Sequence, residues 1–457
     1  MKKARSKTTP AAEFKAFQAA HPETRYVDAI LTDLCGIVRG KRYPMAEAEK
    51  LFTGGLQLCE SVFLLDVTGA NTDPAGRGFT DGDPDGTLVP IPGTLVPVPW
   101  AEEPRGQVLM TMTTPEGAPS PIDPRNVATR VLERFEELEL TPVVAFELEF
   151  YLLDRERDAA GLPQPPVSPG TGRRESSLQV YGIHEIDGFA AFLRDVEAAG
   201  AAQKVPANIA TAEFAPGQYE INLHHVDDAL AAADHAALLR HIIKSVARRH
   251  GVEASFMSKP FLGQTGNGMH VHVSLLDKRG RNVFAAESPL GSETLRHAVG
   301  GLMATMAEAM AIFAPNANAL RRFGPNLFVP VNRSWGANNR SVAFRIPSGP
   351  PDSRRIEHRS AGAEANSYLV LAAILAGIHH GITEGIDPGP AREGNACKTV
   401  DPDLPLDMPS SLARLEAAKT LGRYLGLEYL EVYAATKRNE YRDFMNEISL
   451  REYAWYL

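Results

Sequence analysis

The stretch Ala145–Asp154 reads AFELEFYLLD and alternates apolar with acidic residues. Successive side chains of a β-strand point to opposite faces, so Glu147 and Glu149 share one face and the apolar residues between them share the other. A half-buried strand normally presents its polar face to water. The stretch therefore predicts a strand whose apolar face packs into a core and whose acidic face is either solvated or directed at a site.

Two further stretches repeat this polar alternation. Ala212–Leu223, AEFAPGQYEINL, carries Glu213 and Glu220, and Gly266–Asp277, GNGMHVHVSLLD, carries His270, His272 and Ser274 on one face. Any one of them is more often a solvated strand face or a structural histidine, but three in one chain favour a shared cleft. Carboxylates and imidazoles in one cleft would be buried at a high free-energy cost unless cations lie between them. Divalent metal ions are the simplest such cations, so the three stretches predict a metal site.

Length, charge and cysteine usage indicate the class of protein. A chain of 457 residues exceeds one compact core, so two domains are expected. The formal net charge of −9 disfavours nucleic acids and anionic membrane surfaces as partners. Cys35, Cys59 and Cys397 lack metal-type spacing and are typical of a reducing compartment, which predicts a cytoplasmic protein.

The apolar run Tyr368–Ile378 is too short to span a bilayer and predicts a buried core helix. The basic N-terminus lacks the apolar run of a secretory signal.

Three segments are predicted along the chain. Residues 1–21 form an exposed tail leading into a short amphipathic helix, and residues 22–116 form a small β-rich domain. The Pro/Gly-rich stretch 113–124 marks the boundary to a larger domain, 117–457, in which strands in hairpins interleave with long helices. Without regular βαβ alternation, this order predicts an α+β fold.

Helix starts in the larger domain are predicted from capping residues. Asp123 precedes Pro124 at the start of one helix, and Asp227 or Asp228 can cap an Ala/Leu-rich helix that runs to Gly251. A further helix is predicted over residues 362–383.

Arginines accumulate in the second half of the chain, at Arg321, Arg322, Arg333, Arg340, Arg345, Arg354, Arg355 and Arg359. A run of charges is usually a solvated face, but Val342, Phe344 and Ile346 alternate with polar residues, which indicates that one face is directed at a ligand. Guanidinium groups match the oxygens of phosphate and carboxylate groups. Acids that hold metals beside arginines that hold anions predict phosphoryl transfer from a nucleotide, and a metal-dependent hydrolase also fits.

Six motifs in order make the chain resemble the glutamine synthetase family from about Val27 to the C-terminus. They read FELEF, EFAPGQYEI, GNGMHVHVS, NANALRRFGP, NRSVAFRIP and RRIEHR. The resemblance implies the glutamine synthetase fold, with an N-terminal β-grasp domain and a larger catalytic α+β domain built on an antiparallel sheet. It also implies a homo-oligomer, a dodecamer of two stacked hexameric rings, with each active site between neighbouring subunits.

The resemblance also implies roles for individual residues. One metal site would consist of Glu149, Glu213 and Glu220, and a second of Glu147, His270 and Glu357, together holding two or three Mg²⁺ or Mn²⁺ ions. The phosphates of ATP would meet His272, Ser274, Arg340, Arg345 and Arg355, of which Arg340 and Arg345 would be catalytic, with His225 near the adenine. L-Glutamate would be bound by Arg322 and Arg359 through its carboxylates, with Gly266 and His270 beside it.

The amine pocket departs from that of the ammonia-using members of the family. Where their mobile flap carries a glutamate that deprotonates ammonium, this chain has Phe328. Where their N-terminal domain carries an Asp-Gly-Ser-Ser segment, Leu58–Gly69 reads LCESVFLLDVTG, with Cys59 or Glu60 at the acid position. An aromatic wall suits an alkyl chain and can contact a cation through its π face. Glu60 is our hypothesis for the residue that binds the amine or takes its proton.

The segments RGKR (39–42), SVFLLDVTG (61–69) and EYAWYL (452–457) resemble the γ-glutamylpolyamine synthetase branch of the family. This implies an ATP-dependent ligase that joins the γ-carboxylate of L-glutamate to a primary amine, with putrescine or a polyamine as the expected substrate. A small monoamine such as ethanolamine, methylamine or isopropylamine is the alternative. Ammonium, as in ordinary glutamine synthetase, and a non-catalytic structural member of the fold come next. GNACK (394–398) occupies the region of the tyrosine that some bacterial members adenylylate, so control by adenylylation is not expected.

Overall fold

The computed structural model describes residues 9–176, 179–325 and 327–457. Its N-terminal part consists, in chain order, of α1 Pro10–Ala20, β1 Tyr26–Thr32, β2 Val38–Pro44, α2 Met45–Thr53, β3 Leu56–Cys59, β4 Asp85–Pro90, β5 Val96–Pro97 and β6 Arg105–Thr113. These strands form one sheet in the order β2-β1-β6-β4-β3, with β5 paired to β6. Strand β1 pairs antiparallel with β2 and parallel with β6, so the sheet is mixed.

Helix α1 packs onto the core of the N-terminal sheet. Phe14 and Phe17 are buried, and the ring of Phe14 lies 5.0 Å from that of Phe52 on α2. The carboxylate of Glu13 accepts backbone hydrogen bonds from Gly93 and Leu95 at 2.9 and 3.0 Å. The helix expected behind an exposed tail is thus present, but it is packed against the domain because its phenylalanines bury apolar area there. Residues 1–8 of the expected tail lie outside the described residues.

The larger C-terminal part contains the longer helices and a second sheet. Its elements, in order, are α3 Pro124–Glu137, β7 Thr141–Asp154, α4 Ile183–Gly188, α5 Ala190–Ala202, β8 Ala207–Ala212, β9 Gln218–Leu223, α6 Ala229–Arg249, β10 Val252–Ser255, β11 Met269–Leu276, α7 Glu293–Phe313, α8 Ala317–Leu320, β12 Trp335–Ala337, β13 Phe344–Ile346, β14 Ile356–His358, α9 Ser367–Glu384, α10 Met408–Glu416, α11 Lys419–Leu425, α12 Leu427–Asn446 and α13 Leu450–Tyr456. This mixture of helices with a separate sheet is the α+β arrangement that the sequence predicts.

The second sheet has eight strands in the order β12-β13-β14-β11-β7-β9-β8, with β10 paired to β7. All its pairs are antiparallel except β12 with β13. The apolar residues of β7, Phe146, Leu148 and Phe150, are buried in the main hydrophobic core with the surrounding helices. Their acidic neighbours therefore lie on the opposite face, which is the face that carries the candidate site.

Capping residues define the helix starts. Asp123 accepts a hydrogen bond from the backbone N–H of Arg125 at 2.8 Å, and Asp228 caps α6, as predicted. The helix predicted over 362–383 begins only at Ser367, because the side chain of Asn366 accepts from the backbone N–H groups of the first turn.

Helix α9 is the buried core helix that the sequence predicts, since every residue of Tyr368–Ile378 is buried. Among the described residues, no helix combines the length and the apolar character needed to cross a bilayer.

A buried polar network joins three helices behind the site sheet. Arg125 on α3 donates two hydrogen bonds to the carboxylate of Asp234 on α6, at 2.8 and 2.9 Å. The hydroxyl of Tyr368 on α9 donates to the same carboxylate at 2.8 Å. Asp234 is buried, so its charge depends on these two partners for compensation.

We expect Asp234→Ala to lower the free energy of unfolding by about 3–5 kcal/mol, because it leaves a buried arginine without its counter-charge. Urea unfolding followed by circular dichroism measures this. Glu133→Ala, on the exposed side of the same helix α3, is the matched control and should change the free energy by less than about 0.5 kcal/mol. Equal effects of the two substitutions would contradict the assignment.

Candidate active site

Four neighbouring strands carry the predicted site residues on one face. Strands β14, β11, β7 and β9 lie side by side, and their register gives three polar pairs, His272–Glu357, His270–Glu147 and Glu149–Glu220. Directly opposite residues of antiparallel strands have Cβ atoms about 4.5–5.5 Å apart. The alternation that predicts each strand therefore also brings these acids and histidines into one cluster.

Glu147 lies at the centre of the cluster. One carboxylate oxygen, Oε1, lies 2.9 Å from Nε2 of His272 and accepts a hydrogen bond from Nδ2 of Asn222 at 3.2 Å. The other, Oε2, lies 3.2 Å from Nδ1 of His270. His270 Nδ1 is also 3.9 Å from Glu220 Oε2. Through these contacts Glu147 links side chains of three strands.

Two groups of side chains each bring their potential ligand atoms within 4.8 Å of one another. One group is Glu147, His272 and Glu357, and the other is Glu147, Glu220 and His270. The family resemblance groups His270 with Glu357 and assigns His272 to the nucleotide. Strand β14 pairs with β11 so that His272 stands opposite Glu357, and the metal grouping that the resemblance implies remains a prediction. Glu147 is common to both sets.

Burial and mutual repulsion raise the pKa of two acids in the cluster. For Glu213, burial acts first and the charges of Glu149 and Glu147 add to it, which brings the pKa to about 8. For Glu220, burial followed by Glu147 and Glu149 raises the pKa well above its usual value. Burial and like charge therefore favour the protonated form of both acids, and a bound cation would replace the proton.

The other two buried acids are held in their charged form. Burial by itself would raise the pKa of Glu147, but the hydrogen bonds with His270 and His272 bring it below its usual value. Burial acts in the same sense on Glu357, and there Arg359, followed by the two histidines and Arg345, lowers the pKa to about 2. The cluster thus combines fixed negative charge with acids that hold exchangeable protons.

The donor set fits a hard divalent cation. Carboxylate oxygens dominate it, with one or two imidazole nitrogens, which is the chemistry that Mg²⁺ and Mn²⁺ accept. The buried oxygen Oδ1 of Asn222, beside Glu147, has no hydrogen-bond partner in the described part of the chain. A cation or its water would satisfy that oxygen and replace the protons on the raised-pKa acids.

Arginines border the cluster on the side of β13 and β14. Arg345 donates to Glu357 Oε2 at 2.6 Å and to Asn338 at 3.1 Å, and Arg359 donates to the other oxygen of Glu357. Arg355 donates through Nε to Nδ1 of His272 at 3.1 Å. These contacts direct three guanidinium groups towards the acid–histidine cluster.

Three of the buried guanidinium groups keep a free donor. The Nε atoms of Arg322, Arg345 and Arg359 have no hydrogen-bond partner among residues 9–176, 179–325 and 327–457. An unpaired buried donor is costly, so these atoms favour an anion that would accept from them. Arg322 is held by a hydrogen bond from Nη1 to the carbonyl of Ser360 at 3.2 Å.

Gly266 lies where any larger residue would collide. A Cβ at this position would lie 2.5 Å from the carbonyl oxygen of Ser258 and 2.7 Å from Cγ of Arg322. The glycine therefore lets its backbone approach the buried Arg322, next to the space expected for glutamate.

The remaining predicted nucleotide residues lie at different depths. His225 contacts the ring of His272 edge-on, with centroids 5.7 Å apart, and burial, followed by His272 and Arg355, lowers its pKa to about 4. Ser274 is half-buried on β11, and Arg340 is exposed in the turn after β12. His225 therefore lies beside the cluster, whereas the side chain of Arg340 is directed at solvent.

The two residues expected at the amine lie in different parts of the chain. Phe328 is exposed and its ring stacks on that of Phe214. Glu60 lies in the N-terminal part and forms an ion pair with Arg77 at 3.3 Å, and Arg77 also contacts Glu428 on α12. The ion pairs of Glu60 and Arg77 thus involve a separate surface and not the acid–histidine cluster.

Two residues of the site were missed in the sequence. Asn222 lies two residues after Glu220, so the period of β9 could have indicated it. Phe214 follows Glu213 directly, but only the tertiary contact with Phe328 marks it out.

Comparisons with known proteins identify the family. The model of the glutamine synthetase catalytic domain matches residues 121–456. The chain belongs to the glutamine synthetase family. It is 42% identical to γ-glutamylputrescine synthetase of Escherichia coli K12 over 97% of this chain and 94% of that protein. It is 33% identical to glutamate–isopropylamine ligase of a Pseudomonas species over 93% of each chain.

A solved structure of GmaS in complex with ADP has the same fold. It superposes with a TM-score of 0.83 at 26% identity, over 98% of this chain and 99% of that one. The expected glutamine synthetase fold is thereby confirmed. Members of this family are ligases that use ATP and divalent metals, which the buried acids and the free guanidinium donors of this chain suit.

We expect the affinity for Mg²⁺ or Mn²⁺ to rise over about pH 6–8, with release of protons on binding, because a cation must displace the proton of Glu213. The same titration affects stability. The pKa of Glu213 is about 8 in the folded protein and 4.5 when unperturbed, so this group lowers the free energy of unfolding of the metal-free protein as the pH rises from about 4.5 to 8. Titration calorimetry in buffers of different ionisation enthalpy measures the protons released.

Glu213→Gln should reduce this proton release. Glu253→Gln, a partly exposed carboxylate on β10 of the same sheet, should leave it unchanged. Metal binding that is independent of pH in the wild type would show that Glu213 carries no proton.

Proposed function

We propose that the protein is an ATP-dependent ligase that joins the γ-carboxylate of L-glutamate to a primary amine of putrescine or another polyamine. The observation that carries the proposal is the acid–histidine–arginine cluster in a chain that has Phe328 at the flap position, where ammonia-using relatives have an acid; the ring of Phe328 stacks on Phe214, the residue after Glu213. Similarity to a γ-glutamylputrescine synthetase and to a glutamate–isopropylamine ligase supports an amine with an alkyl chain.

The first step is activation of glutamate. Divalent ions held by Glu147, Glu149, Glu213, Glu220, His270 and Glu357 would supply positive charge for the ATP phosphates. Arg345 and Arg355 orient the γ-phosphate, and Arg322 and Arg359 hold the glutamate carboxylates. A γ-carboxylate oxygen then attacks the γ-phosphorus, ADP leaves, and γ-glutamyl phosphate forms.

The second step is capture of this acyl phosphate by the amine. An aliphatic amine has a pKa near 10 and arrives as an ammonium ion, so it must lose a proton before its nitrogen attacks the carbonyl carbon and phosphate leaves. Phe328 has no basic atom. Glu60 is our assignment for the proton acceptor, and burial, only partly offset by Arg77, raises the pKa of its carboxyl above the usual value, which favours proton uptake.

Glu60 would serve the cluster of a neighbouring subunit in a homo-oligomer, which we propose is a dodecamer of two hexameric rings. Its partners within one chain, Arg77 and the acids around it, are not part of the cluster. Helix α13 and the C-terminus also expose apolar side chains, namely Leu450, Trp455, Tyr456 and Leu457. Such a surface supports burial against another subunit. The free cysteines fit a reducing cytoplasm.

We expect putrescine to exceed ammonium in kcat/KM by about 100-fold or more, because an apolar wall can bind methylene groups but offers no acid to a small cation. Phosphate release from ATP with L-glutamate and Mg²⁺ measures this, with putrescine, spermidine, spermine, ethanolamine, methylamine, isopropylamine or ammonium added in turn.

Two variants serve as controls in this assay. Glu357→Gln removes a buried acid of the cluster and should abolish turnover with every amine, whereas Glu253→Gln should be active. A preference for isopropylamine or methylamine would favour the monoamine alternative. Turnover with ammonium alone would refute the alkylamine assignment.

We expect Glu60→Gln and Glu357→Gln each to be inactive alone, but to recover about a quarter of wild-type turnover when co-expressed. If each active site takes Glu357 from one subunit and Glu60 from its neighbour, random assembly of equal amounts of the two variants leaves both residues intact at one site in four. Putrescine-dependent phosphate release on purified mixed oligomers measures this, with light scattering to give their size. Full activity of Glu60→Gln would refute its role, and two inactive variants without recovery would place each site within one subunit.

A further inference from the structure

Phe214 stacks on Phe328. It follows Glu213 directly, in the turn between β8 and β9 that is closed by a hydrogen bond from Glu213 N–H to the carbonyl of Gln218 at 2.9 Å. The centroids of the two rings lie 6.4 Å apart and their planes are inclined by 27°. This geometry falls within the range of offset-stacked aromatic pairs.

The backbone of Phe328 is held in an unfavourable conformation. Its φ of +51° lies in the left-handed region, which bulky residues adopt only where their surroundings hold them there. The chain after it is anchored, because Cys397 Sγ donates to the carbonyl of Val329 at 3.4 Å and Asn332 Nδ2 donates to the carbonyls of Ala396 and Thr399 at 2.6 and 2.8 Å. On its other side the ring of Phe328 contacts Phe214.

The paired rings leave apolar surface uncovered. Phe214 is 36% exposed and Phe328 is 61% exposed, so neither ring is consumed by the core. Their faces can contact methylene groups and attract a cation, but they offer no hydrogen-bond acceptor to a small, strongly hydrated ammonium ion.

We infer that the Phe214–Phe328 pair determines the preference for an amine with an alkyl chain, and that Phe214 acts as a positioning residue that holds the ring of Phe328 over the acceptor end of the site. This inference rests on the proposed function and extends it to a residue for which neither the motifs nor the family resemblance suggests a role. It predicts that removing either ring disturbs the same contact.

We expect Phe214→Ala to lower kcat/KM for putrescine by about tenfold and for ammonium by less than about twofold, with the KM values for ATP and glutamate unchanged. Phe214→Tyr, which keeps the stacking surface, should restore the preference. The double variant Phe214→Ala/Phe328→Ala should be no worse than Phe328→Ala alone, since both substitutions remove one interaction. Steady-state phosphate release measures all of these constants.

Leu162→Ala, at an exposed apolar residue in the 155–175 loop, is the matched control and should leave the ratio of the two kcat/KM values unchanged. Thermal unfolding verifies that each variant is folded, and Phe214→Leu replaces Phe214→Ala if it is not. Suppose the wild type prefers putrescine. An unchanged ratio of kcat/KM for putrescine to kcat/KM for ammonium in the Phe214 variants, or additive losses in the double variant, then overturns this inference but not the proposed function. A wild type that uses only ammonium overturns the proposed function as well.

Discussion

Repulsion among carboxylates on one face of a buried sheet governs this site. Glu147, Glu149, Glu213, Glu220 and Glu357 come from β7, β9, β14 and the turn before β9. Burial and like charges raise the pKa values of Glu213 and Glu220, while the histidines and arginines lower those of Glu147 and Glu357. Such a cluster is favourable only when cations offset it, so binding of metal and nucleotide is coupled to its electrostatics.

The opposite face of the sheet supplies the rigidity that holds these charges together. Phe146, Leu148 and Phe150 pack against the helices, and α9 runs through the core with its whole apolar stretch buried. The buried guanidinium of Arg240 joins this body to the N-terminal part, since it donates to the carbonyls of Ala363, Glu364 and Ala365 and to that of Gly36. Apolar burial on one face therefore offsets the free energy of holding charge on the other.

Several elements could be predicted because their signals are local. Alternation in AFELEFYLLD and GNGMHVHVSLLD predicts the two central strands and the residues that share a face, and Asp123 and Asp228 define helix starts through their own hydrogen bonds. Other features depend on long-range pairing. The grouping of His272 with Glu357 follows from the register of β11 with β14, which sequence periodicity leaves open. Helix α1 was expected behind an exposed tail, and its packing depends on contacts with Phe52 and the 93–95 turn.

The amino-acid sequence by itself determined the family, the candidate metal-binding acids and histidines, and the presence of Phe328 at the flap position, because these are matters of residue type and order. Only the tertiary structure decided which acids have raised pKa values, which arginines keep a free Nε, and that Phe214 meets Phe328 across more than 100 residues of chain. The physical reason is that a pKa, an unpaired donor and a stacked ring each depend on what lies within a few ångströms in space, and separation along the chain does not report that distance.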